Sequence, residues 1–116
     1  MINVSDEEAA HDIALHLDIK PPYFYEEGLE TKCPLLFFAS WQGFGTLFTH
    51  ISKGMYRIDV SCSAGGLTRV HIERSDLHER NFDQRIDARG VHANPATAML
   101  RAAYQALIEY PKQAVK

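Results

Sequence analysis

Among the side chains able to ligate a metal or attack an electrophile are six histidines and two cysteines, and their spacing limits what they can do. His11 and His16 stand five apart, whereas two ligands share one helix face at a spacing of three or four. His71-Ile72-Glu73 has the H-x-E spacing of a zinc deaminase, yet the P-C-x-x-C partner that completes such a site is absent. No H-E-x-x-H occurs. A cryptic metal-dependent hydrolase would have to gather His71, His78 and His92 through the fold, and no cofactor is expected. Cys33 and Cys62 form no CxxC pair, and both sit in or beside apolar segments, so they read as small buried thiols. Gly43-Phe44-Gly45 and Gly65-Gly66 lack the Lys-Ser/Thr of a phosphate cradle and read as hairpin turns.

Binding chemistry is better represented than catalysis. Arg57, Arg69 and His71 fall on the same polar side of two alternating segments, and Arg74, Arg80, Arg85, Arg89 and Arg101 follow. Guanidinium groups suit phosphate, so nucleic acid is one possible partner. Asp59, Glu73, Asp76, Glu79, Asp83 and Asp87 interleave with them, however, which favours a salt-bridged surface over a basic stripe. Trp41 and Phe44 flank a glycine-rich segment, and Tyr23, Phe24 and Tyr25 follow a proline pair. Aromatic rings ordinarily pack in cores, but Trp, Tyr and Arg also supply interface hot spots. The candidate partner-binding residues are therefore Trp41, Phe44, Arg57, Arg69, His71, Arg74, Arg80 and Arg85.

The elements that must position these residues follow from periodicity. Ser5 and Glu8 make a capping box, and Ala10, Ile13, Ala14 and Leu17 form one apolar stripe, predicting a helix over 5–18. Tyr23–Tyr25 reads as a short extended segment. Leu35–Trp41 reads as a buried strand, Gln42–Gly45 as a turn, and Thr46–Ser52 as a second strand rich in β-formers. Tyr56–Cys62 and Thr68–Glu73 alternate with period two, and Lys53-Gly54 and Ser63–Gly66 supply turns. The polar stretch Arg74–Ala93 is expected to hold a short strand near 82–88 or a helical turn at 76–80. Asn94-Pro95 starts the last helix, with Ala96, Met99, Leu100, Ala103 and Leu107 facing inward. The fold class is thus α+β: an N-terminal helix, an antiparallel β-meander of about four strands and a C-terminal helix, with the helices packed on one sheet face.

A chain of 116 residues, 46% hydrophobic and 23% charged, can bury one core without staples, so residues 1–116 are expected to form a single domain. The longest apolar run is far short of the ~20 residues of a membrane helix. The opening residues carry no positive or apolar leader, so a cytoplasmic protein away from membranes is expected. Residues 1–30 hold eight acids against Lys20, whereas residues 31–116 hold seven acids against eleven bases. Such a dipolar chain can meet partners of either sign, although a solvated helix face is the ordinary origin of the pattern.

The helix Asn94-Pro95-Ala96-Thr97-Ala98-Met99-Leu100-Arg101-Ala102-Ala103-Tyr104-Gln105-Ala106-Leu107 resembles the closing helix of small phage-encoded proteins with an α-β-α sandwich domain. The order of elements agrees with that family, while Pro21–Tyr25 replaces its tryptophan-containing segment after the first helix. The resemblance implies a phage accessory protein, lodged in the cytoplasm of a bacterial host. It also implies a non-enzymatic mode of action, by binding a host or defence protein such as a CRISPR effector. A homodimer is a further expectation, since a meander leaves an edge strand open.

Overall fold

The computed structural model describes residues 4–54, 56–74 and 86–111. Helix α1 spans Asp6–His16 and starts at Ser5, whose hydroxyl accepts from the Glu8 N–H at 3.1 Å. It ends at Asp18, which takes a positive φ while the Ile19 N–H returns to the Ala14 carbonyl, a left-handed C-terminal cap. Strands β1 (Tyr23–Glu26) and β2 (Leu29–Thr31) form a small hairpin, whose turn is made by Gly28 at φ +80°.

Two expected strands are helices. Leu35–Trp41 is taken up by α2 (Pro34–Phe38) and the start of α3 (Trp41–Lys53), and the expected turn and strand of 42–52 lie inside α3. The expectation followed β-propensity, which reports how a side chain fits a pleated surface and yields readily to tertiary context. The helical signals were present: Pro34 takes a first-turn position, and Ser40 caps α3 by accepting from the Gly43 N–H. Gly43, Leu47 and Ile51 then recur at helical spacing as the buried side of α3. Gly43 is required by contact, since a Cβ there would lie 2.3 Å from the Phe37 carbonyl oxygen. The two helices cross backbone to backbone at that point.

The expected four-stranded meander is accordingly a three-stranded antiparallel sheet, β3-β4-β5, from Arg57–Cys62, Thr68–Arg74 and Ile86–His92. The last strand lies later than the expected 82–88, because its sheet-forming residues are small. Val70 pairs with Gly90 and Ile72 with Ala88. Helix α4 (Pro95–Tyr104), continued by a π-helical turn over Gln105–Glu109, lies directly on that row. A Cβ at Gly90 would sit 2.1 Å from the Ala98 carbonyl oxygen. The expected helical turn at 76–80 lies outside the described residues.

The fold is α+β, with the helices packed against one face of the sheet through α4. Helices α1, α2 and α3 pack on α4 in turn. Ala96 through Leu100 and Ala102 through Tyr104 are all buried, so α4 meets solvent only through the half-exposed Pro95 and Arg101. A helix enclosed on nearly every side is apolar but for Thr97 and Arg101 and slim enough for close neighbours, which explains its alanines. Asn94 ties the layers together: its Oδ1 accepts from the Ala96 N–H, and its Nδ2 donates to the Ala39 carbonyl at the end of α2. Among the described residues, no helix is long and apolar enough to cross a membrane.

Candidate functional site

The sheet face turned away from α4 carries Arg57, Asp59 and Ser61 on β3, Arg69, His71 and Glu73 on β4, and Asp87, Arg89 and Val91 on β5. The period-two alternation of β3 and β4 placed Arg57, Arg69 and His71 together, and the structure does bring them onto this one face. Its charges pair across and along the strands. Arg57 Nε lies 3.3 Å from Asp59 Oδ2, and Arg89 Nε 3.5 Å from Asp87 Oδ1. His71 Nε2 is hydrogen-bonded to Asp87 and stands 3.4 Å from Glu73 Oε1. The His71 hydrogen bond, followed by the charges of His71 and Arg89, holds the Asp87 carboxyl below the usual carboxylate range. A shallow cleft of about 450 Å³ runs over this face, lined by Asp59, Ser61, Arg69, His71, Arg89 and Val91.

A carboxylate can orient a histidine as a base, but the chemistry also needs a nucleophile whose proton that base can take. Asp87 is the sole hydrogen-bond partner of the His71 side chain among the described residues. Within the same residues, no group of three or more His, Cys, Asp or Glu side chains is arranged to hold a metal ion. His71 and His92, two members of the histidine set considered above, emerge from opposite sheet faces, since His92 pairs with Thr68 in the helix-side row. His92 Nδ1 accepts from the Asn94 N–H instead. His78 lies outside the described residues, as do Arg80 and Arg85.

Arg74 is not part of the arginine face. It continues the helix-side register and places its guanidinium 5.4 Å from the centre of the Tyr56 ring, a cation–π contact. Arg101 is also committed elsewhere. Its Nε and Nη2 donate to both oxygens of Asp6 at 2.9 Å, and Nη1 donates to the Val91 carbonyl at 2.8 Å. This clasp joins α1, α4 and β5; the hydrogen bond from Arg101 lowers the Asp6 pKa, and Asp6 raises that of Arg101. The clasp lines a cleft of about 750 Å³ beside the start of α1, together with Tyr104 and Gln105. Burial, then the carboxylates of Asp12, Glu109 and Glu8, push the Tyr104 phenol up. The Gln105 amide is occupied by both backbone groups of Arg89. The Asp6, Arg101 and Gln105 side chains that line this cleft are therefore already bonded within the chain.

Both cysteines are exposed, contrary to expectation. Cys33 lies at the hairpin-to-α2 junction, and Cys62 ends an edge strand that α4 does not reach. His16 and His50 meet edge to face across α1 and α3, with ring centroids 6.1 Å apart. Burial, then the charges of His16 and Lys53, hold His50 below its ordinary pKa. Sequence spacing gave His16 no partner on its own helix, and the packing of two helices supplies His50.

The second surface is the outer side of α3. Trp41, Phe44 and Phe48 recur at i, i+3 and i+7, and their rings touch in series at 5.6 Å and 6.2 Å between centroids. Trp41 is 72% exposed and Phe48 42% exposed, while Phe44 is half-buried between them. Phe24, also 60% exposed, departs from the core role ordinary for such a ring. Phe48 was missed because 46–52 was read as a strand, which hides the i, i+3, i+7 helical spacing that joins it to Trp41 and Phe44. Helix α3 packs on α2, α4 and β1, so the aromatic stripe and the arginine face belong to different layers. No family model, curated protein or solved structure matches the chain.

Proposed function

We propose that the chain is a non-enzymatic protein-binding module, of the phage accessory kind that its closing helix resembles, which inhibits or modulates a host or bacterial defence protein. The observation that carries this reading is the bare Trp41–Phe44–Phe48 stripe. A tryptophan this exposed gains little from the fold, whereas desolvating it in a partner's apolar cleft supplies the kind of anchor that dominates interfaces. Helical spacing fits the mode in which an amphipathic face enters a groove.

The arginine face is a weaker candidate for primary contact. Three arginines there are opposed by Asp59, Glu73 and Asp87, and two of the three stand in ion pairs. That balance also weakens the nucleic-acid alternative, which needs unopposed positive charge. The test is capture of a stoichiometric protein partner from host lysate at moderate salt, with wild type beside Trp41→Ala and Phe48→Ala. Loss of an anchor worth about 2 kcal/mol should weaken capture roughly thirtyfold. Capture that survives both substitutions, or an affinity for DNA or RNA that falls steeply with salt, would overturn the reading.

A further inference from the structure

The two edges of the three-stranded sheet are finished differently. On β5 four of the six outward backbone groups are taken by side chains: both groups of Arg89 by the Gln105 amide, the Val91 carbonyl by Arg101, and the Asp87 carbonyl by the Tyr110 hydroxyl. A strand cannot add at an edge closed in this way. On β3 the Ser63 N–H bonds the Leu67 carbonyl at the hairpin end, which fixes the alternation of the ladder. Ser61, Asp59 and Arg57 therefore bond to β4, and the N–H and C=O groups of Ile58, Val60 and Cys62 point off the edge. Among the described residues, none bonds them. The strand is regular through all six of its pairs, without a bulge or proline to deter pairing.

The side chains of the same residues are also short of cover. Val70 on β4 is 1% exposed beneath α4, while its partner Val60 on β3 is 43% exposed. We infer that a second copy of this chain covers this edge, with β3 pairing antiparallel to β3 of the other copy to make a six-stranded sheet. Charge selects the register. Placing Ile58 opposite its own copy sets Arg57 against Asp59 of the other strand twice, forming a ring of alternating charge with the existing Arg57–Asp59 pair. Shifting by one step of matching faces sets Asp59 against Asp59, which repels. In this register residues 57–59 of the two strands pair directly about the symmetry axis, and Val60 of each copy falls opposite Tyr56 of the other. This interface shares no residue with the aromatic stripe and stands or falls separately from the proposed function.

The experiment is sedimentation equilibrium over a wide concentration range, with circular dichroism to confirm folding. Wild type should approach twice the 13.1 kDa chain mass. Val60→Pro removes an N–H that the β4 ladder does not use and should give a monomer. Arg57→Asp should weaken the dimer roughly tenfold, because two attractive cross-strand pairs become repulsive. The double variant Arg57→Asp/Asp59→Arg should restore it. A wild type monomeric throughout would overturn the inference, as would a dimer indifferent to Val60→Pro and Arg57→Asp. A double variant that stays as weak as Arg57→Asp would overturn the register and with it the proposed interface. Should Val60→Pro fail to fold, the charge-swap series alone decides.

Discussion

Helices α4 and α3 both begin at a side-chain cap, Asn94 and Ser40, and both send small or aliphatic residues into the same core. Around α4 nearly every direction is occupied, by the sheet on one side and by α1, α2 and α3 on others, with Arg101 reaching the cleft beside α1. Its residues are small because backbones approach it, as at Gly90, where the Ala98 carbonyl fills the space a Cβ would need. Helix α3 instead has one tight side, where Gly43 meets α2, and one side bearing three aromatic rings, with Trp41 exposed among the described residues. Composition without context would rank the aromatics as core and the glycines as loop. The contacts reverse that order: the glycines mark where the fold is least negotiable, and the rings mark where it leaves something over.

Substitutions should separate the two helices by size of effect. Gly90→Ala forces a methyl into the α4 backbone and should cost about 3 kcal/mol or more, read as a large fall in the denaturation midpoint. An unchanged midpoint would mean that α4 does not lie on β5 as described. Arg101→Ala removes the clasp between α1, α4 and β5. Arg101 is 41% exposed, so screening reduces its worth, and a loss of about 1 kcal/mol is expected by urea denaturation.

The same clasp gives a pH dependence with a definite sign. Asp6 has a folded pKa below its unfolded value of about 3.9. Its contribution is therefore complete above that value and is lost as pH falls through the depressed folded pKa. Asp87, lowered first by His71, behaves in the same direction. Asp6→Asn should flatten the acid limb of the stability curve, and an unaltered limb would show that the clasp is not formed in solution. On α3, Gly45 has open space around its Cβ position, so Gly45→Ala should raise stability by about 0.5–1 kcal/mol through helix propensity alone. Destabilisation there would mean that the outer side of α3 is covered.

How much of this was legible in the sequence differs by region for physical reasons. The N-terminal helix announced itself through Ser5 and an apolar stripe, and β3 and β4 through clean alternation, because one neighbouring layer dictated each pattern. Strand β5 was harder: Ala88 and Gly90 are small for the sake of α4, and a strand built of small and charged residues looks like loop. Residues 35–52 misled because Phe, Thr and Ile suit strands, while the decisive Gly43–Leu47–Ile51 spacing reflects a partner helix that sequence does not show. Of the candidate site, Trp41 and Phe44 were legible by residue type. Their union with Phe48 required the helix. Arg57, Arg69 and His71 were correctly grouped, whereas Arg74 was drawn away to Tyr56 at the strand end.

The claim that α3 keeps a surface unused by the fold is tested most directly on Trp41→Ala, by measuring its thermal midpoint and its partner capture on one preparation. Stability should change by no more than about 0.5 kcal/mol, as for an exposed position, while capture is lost. A fall of several degrees in the midpoint, with capture intact, would contradict the account and return Trp41 to the core.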